Sequence, residues 1–174
     1  VSNDNDLSFG PVHEIGHDFD FDTGNYYNYY IGSGPINAEH WANFKLTYVA
    51  DNLTTKYPIE RFYQNSTGYT IGEFSQKYFI NLYAQPWIDS GRTDWQNMSS
   101  DVFTGLLYKL RQQVGWGPFK KTFRDYATLT TPIPSTDLGK IELFANLLSK
   151  NSGIDLTPRF RQWGFPIQLY STTT

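Results

Sequence analysis

Residues 13–17 read His13-Glu14-Ile15-Gly16-His17, and the chain carries one other histidine, His40. This pattern constrains the fold before anything else does. Side chains four apart share one face of an α-helix, so the imidazoles of His13 and His17 can grip one metal ion if residues 11–19 are helical. Glu14 then stands beside the metal rather than on it, the place of a general base for a water that zinc activates. Gly10 and Pro11 precede the motif and fit a helix start. Gly16 leaves room between the two histidines for a close neighbour, although glycine costs a helix about 1 kcal/mol. The bland alternative is a helix with two surface histidines and no metal.

A catalytic zinc takes three protein ligands and leaves a further position for water. No third histidine follows at short spacing, so the third ligand is sought downstream. Glu39, in Pro35-Ile36-Asn37-Ala38-Glu39-His40-Trp41-Ala42-Asn43-Phe44, is the candidate. Asn37 can cap a helix there, which puts Glu39 in the first turn and Asn43 one turn later on the same face. Asn43 can accept a hydrogen bond from the outer nitrogen of a liganding histidine. Glu39 also has a plain reading, as an acidic residue favoured by the dipole at a helix N-terminus. His40 points about 100° away from Glu39 and is the weaker candidate.

These residues, His-Glu-Ile-Gly-His and then the glutamate of Ala38-Glu39-His40-Trp41-Ala42-Asn43-Phe44, resemble the enhancin-like zinc metallopeptidases. That family of gluzincins includes viral enhancins and mucin-degrading peptidases. The similarity continues through Gly115-Trp116-Gly117-Pro118-Phe119-Lys120-Lys121, Phe123-Arg124-Asp125-Tyr126, the segment Leu148 to Pro158, and Gln162-Trp163-Gly164-Phe165-Pro166, and so covers nearly the whole chain. The resemblance implies zinc held by His13, His17 and Glu39, a water activated by Glu14, and secreted or cell-surface peptidase activity on mucin-type or other glycoproteins. Gluzincin domains place a β-sheet subdomain before this motif. With a dozen residues ahead of His13, the chain is expected to be the second, motif-bearing half of a catalytic domain, excised from a longer protein. Two alternatives remain open at this point: a metal-stabilised or glycan-binding module without catalysis, and a gluzincin of another family.

The remaining composition narrows the chemistry. The 174 residues suffice for one domain with a core. Having no cysteine, the chain excludes disulfides and thiolate ligands and leaves histidine and carboxylate as metal ligands. A net charge of −3 without a basic run excludes a nucleic-acid footprint and a polybasic membrane patch. No stretch reads as a transmembrane helix or a signal peptide. Aromatic residues make up 18%, which suits an aromatic-rich core and also stacking on sugar rings. Glycosylation sequons at Asn52, Asn65 and Asn97 give weak support for secretion.

The periodicity predicts a mainly α domain. Helices are expected over about 11–19 and 38–52, the second with an inward row of Ala42, Leu46, Val49 and Leu53 that Glu39 continues. A capping box at Thr70-Ile71-Gly72-Glu73 opens a third, carrying Phe74, Tyr78 and Leu82 inward and broken by Pro86 and the polar run 89–97. Further helices carry Phe103, Leu106, Leu107 and Leu110, then Phe119, Phe123 and Tyr126, then Leu138, Ile141, Ala145 and Leu148 with a stop at Gly153. A short one is framed by Thr157, Pro158 and Gly164, followed by an extended tail from Pro166. A short strand or hairpin is allowed near Tyr57 to Thr70. The loop Gly24 to Pro35, rich in tyrosine, is expected near the metal. Tyr26 to Tyr30 and Tyr48 are unranked candidates for an oxyanion donor.

Overall fold

Helix α1 (Phe9–His17) starts directly from a three-residue strand, β1 (Asp6–Ser8). The computed structural model describes residues 6–19, 38–53 and 61–168. Pro11 is the third residue of α1 and not the first, a position where the missing N–H would have had no partner inside the helix. β1 was not foreseen, because so short a strand in a polar segment has no alternation to read. It runs parallel to β2 (Arg61–Gln64), with Leu7 opposite Phe62. β2 pairs antiparallel with β3 (Thr67–Thr70), the hairpin among the two forms allowed there. The two turn residues, Asn65 and Ser66, both have positive φ (49° and 67°). That turn matches the right-handed twist of the strands it joins.

Helix α2 (Ala38–Leu53) covers the expected span, and its inward row holds at Ala42 and Leu46, which are fully buried, whereas Val49 and Leu53 are only half-buried and Ala50 is buried instead. Asn37, the expected cap, lies outside the described residues. From Thr70 the chain enters one long helical run of three parts: α3 (Ile71–Phe74), a π-helix (Ser75–Ala84) and α4 (Gln85–Ser90). The capping box forms by half. The Glu73 carboxylate, its pKa lowered by Lys77 first and then by Thr70, reaches back to Thr70, while the Thr70 side chain makes no cap hydrogen bond. Of the expected row, Phe74 and Tyr78 are buried, and the π-helix corrects it at Leu82. Its i→i+5 repeat buries Phe74, Phe79 and Ala84, five apart, and turns Leu82 out to 55% exposure. Pro86 does not break the run, since it sits in the first turn of α4, which ends at left-handed Gly91.

α5 (Ser100–Val114) is capped by Ser99, and α6 (Trp116–Ala127) follows after Gly115. α7 (Asp137–Ser152) is capped by Thr136, whose hydroxyl accepts from the Gly139 N–H, and ends at left-handed Gly153. α8 (Thr157–Gln162) begins one residue before the expected Pro158. The protein is therefore mainly α-helical, with one small sheet among the described residues. No described helix is long and apolar enough to cross a membrane.

Two apolar clusters result. The larger gathers Trp41 and Phe44 of α2 with residues of α4 to α8, among them Phe103, Phe119, Phe144 and Phe160. The smaller is mostly aromatic: Phe62, Phe74, Tyr78 and Phe79 with Leu46 and Ala50, and Phe9 packed against it. Aromatics thus serve as core, the use expected for most of them. The smaller cluster lies beneath the start of α1 and supports the residues that follow.

Candidate metal centre

α1 and α2 pack where Gly16 meets Ala42. A β-carbon on Gly16 would stand 3.0 Å from the Ala42 carbonyl oxygen and 3.1 Å from its Cα. Glycine lets the two helix backbones approach, the close-neighbour role expected of it. The Lys45 ammonium ties the pair further by donating to the Gly16 carbonyl at 2.9 Å. This contact sets His13 and His17 of α1 facing the first turn of α2.

There the expected residues meet. His13 Nε2 lies 2.9 Å from Glu39 Oε2 and 3.2 Å from His17 Nε2, and His17 Nε2 lies 3.6 Å from Glu39 Oε1. All three ligand atoms fall within 4.8 Å of one another. The site forms a rim, with His13 buried, His17 partly so and the Glu39 side chain 49% exposed. The expectation that Glu39 faces inward with Ala42 is corrected: it turns to the histidines at the surface. Glu14 is exposed on α1. His40 is fully buried, its ring 4.6 Å from Trp41 and 4.9 Å from Phe103, and stays with the core.

The hydrogen bonds around His13 fix its chemistry. Its ring stacks on Phe9 at 5.6 Å, and Nδ1 lies 2.7 Å from Asn43 Oδ1. An amide oxygen only accepts, so Nδ1 carries a proton, and in the neutral ring the lone pair is then on Nε2. That lone pair faces a carboxylate, which is also only an acceptor. Two imidazole nitrogens and a carboxylate oxygen so turned on one point are a donor set that fits a zinc ion. Asn43 itself donates from Nδ2 to Asp101 Oδ1 at 3.2 Å. Burial pushes the Asp101 carboxyl above its usual range. Asp101 went unnoticed in the sequence because it stands 58 residues from Asn43 with no local pattern to link them.

Among the oxyanion candidates, Tyr48 is edge-on to Trp116 at 5.0 Å. Nine residues from Glu39, it occupies the opposite face of α2. Tyr26 to Tyr30 and the loop Gly24 to Pro35 lie outside the described residues.

Comparison with known proteins adds the family. The model described as "Peptidase M60, enhancin and enhancin-like" matches residues 2–164. Curated relatives are channel-associated proteins by name. A TRPM8 channel-associated factor homolog of Danio rerio is 40% identical over 60 residues, 34% of this chain and 6% of that protein. The homolog of Xenopus laevis is 26% identical over 162 residues, 92% of this chain and 16% of that protein. TRPM8 channel-associated factor 2 of Homo sapiens is 34% identical over 77 residues, 43% of this chain and 8% of that protein. The chain thus spans between 6% and 16% of the length of these relatives. No solved structure matches. The family match extends over almost the whole chain, α1 and α2 included, and the chain belongs to the M60 peptidases, the enhancin and enhancin-like family.

Proposed function

We propose that this chain carries the zinc site of a metalloendopeptidase, with His13, His17 and Glu39 as ligands and Glu14 as general base. The observation that carries the reading is the convergence of the three ligand atoms on a half-exposed rim, next to an exposed glutamate. Zinc in such a site acidifies water and polarises a carbonyl. The chain's own residues do the rest. Asn43 holds the proton of His13 on Nδ1, so that Nε2 presents its lone pair. The Glu14 carboxylate takes the proton of the attacking water and passes it to the leaving amine, base first and acid second. Membership of the M60 family favours this over a gluzincin of another family.

The substrate we propose is a mucin-type or other glycoprotein, and the location secreted or cell-surface. The family resemblance supports both. The sequon at Asn65 sits on the exposed turn between β2 and β3, while the Asn97 amide donates to Asp94 Oδ2 and the Asn52 amide to the Tyr48 carbonyl. Glu14→Gln tests the catalytic assignment in the intact protein. Zinc content should be kept and glycoprotein hydrolysis should drop by about 10²- to 10⁴-fold. Hydrolysis at the wild-type rate would remove Glu14 from the mechanism. An O-glycosylated peptide cleaved faster than its bare twin would support the substrate class, and equal rates would count against it.

A second reading has its own support, since the relatives are named for association with a channel. On that reading the site is a metal-stabilised module that binds without cleaving. Zinc binding with no cleavage of any glycoprotein, and no effect of Glu14→Gln, would favour it.

A further inference from the structure

We propose that Asp101 is a positioning residue for the metal centre: through Asn43 it dictates which nitrogen of His13 carries the proton. The proposal rests on His13 being a ligand through Nε2. An asparagine side chain has nearly the same shape either way round, so a buried Asn43 could offer His13 its oxygen or its NH2 group. The two choices have opposite consequences. With the oxygen toward His13, Nδ1 holds the proton and Nε2 is a free donor. With the NH2 group toward His13, Nδ1 must accept, the proton moves to Nε2, and the ligand position is closed.

Asp101 selects between them. Its Oδ1 lies 3.2 Å from Asn43 Nδ2, and a carboxylate only accepts, so the NH2 group must face Asp101. Asn43 Oδ1 is then left for His13 Nδ1 at 2.7 Å. Asn43 is 3% exposed, so water does not readily substitute for either partner. The relay crosses three helices, from Asp101 in α5 through Asn43 in α2 to His13 in α1. Asp101 also occupies the first turn of α5, where a helix dipole favours an acid. That role would affect stability alone, which makes the two roles separable.

Asp101→Asn keeps the shape but can present either an acceptor or a donor, so it frees the Asn43 amide to turn. The first readout is the protonation pattern of the His13 ring by two-bond ¹H–¹⁵N correlation in metal-free, folded protein, with His13 assigned by its disappearance in His13→Gln. Wild type should show the Nδ1–H form, and Asp101→Asn a mixture with Nε2–H. The second readout is zinc affinity by chelator competition, expected to fall about 10-fold in Asp101→Asn. Asn43→Leu should weaken zinc as well, and Asp101→Asn added to it should change nothing further. An unaltered His13 pattern and affinity in Asp101→Asn, with only the melting temperature lowered, would assign Asp101 to the helix dipole and overturn the proposal. The metal-free measurement decides the matter by itself. Wild-type protein that binds no zinc yet shows the Nδ1–H form, lost in Asp101→Asn, would sink the peptidase reading and leave the relay standing.

Discussion

The carboxylate of Asp51 shows how single residues hold this molecule together. It accepts from the Tyr108 hydroxyl at 2.7 Å and the Trp116 indole at 2.9 Å, and pairs with Arg111 at 2.7 Å. One side chain of α2 thereby ties α5 to the first residue of α6. Burial, aided by the hydrogen bond to Asp51, pushes the Tyr108 phenol up to about 12. Its proton therefore favours the folded state, and this contribution is complete below the ordinary pKa of 10. It is lost as pH rises to about 12, because the unfolded chain releases the proton first. Urea melts should accordingly show wild type losing more stability between pH 10 and 12 than Tyr108→Phe; parallel losses would contradict the assignment. At this scale the ligand types were legible. Spacing alone placed His13 and His17 on one face, and Asn43 one turn beyond Glu39. Asp101 and Asp51 were not legible, because their partners lie 57 residues or more away along the chain.

Among elements, the helix starts and stops were the readable part. Gly153 and Pro158 each mark an end to within a residue, since left-handed glycines and first-turn prolines act locally. The π-helix was not readable. Nothing in Ser75 to Ala84 signals a wider turn, and a 3.6-residue period assigned Leu82 to the core where Ala84 belongs. Tertiary packing fits that turn: α5 lies so close that a β-carbon on Gly105 would come 2.3 Å from the Phe79 carbonyl oxygen. The α1–α2 contact is a similar close approach with a functional consequence. Gly16→Ala gains about 1 kcal/mol of helix propensity. It also forces a methyl onto the Ala42 backbone, which costs about 1–3 kcal/mol in a packed interior. The packing term should win. A lowered melting temperature and weaker metal binding are expected, as α1 is pushed off α2. A raised melting temperature would show that the contact has slack.

For the molecule as a whole, the mainly helical class followed from periodicity, and the family from residues spread along the chain. The small sheet was only half foreseen, because β1 is too short to carry a pattern. What the fold achieves is to set two elements against each other so that three donor atoms meet within 4.8 Å on a half-exposed rim. Whether that meeting is a metal site is best asked directly, by native mass spectrometry of the protein before and after chelation. One zinc per chain, removed by chelator and absent in a folded His17→Ala variant, is the predicted result. A folded wild-type chain that takes up no zinc, or a His17→Ala variant that retains it fully, would contradict the central claim.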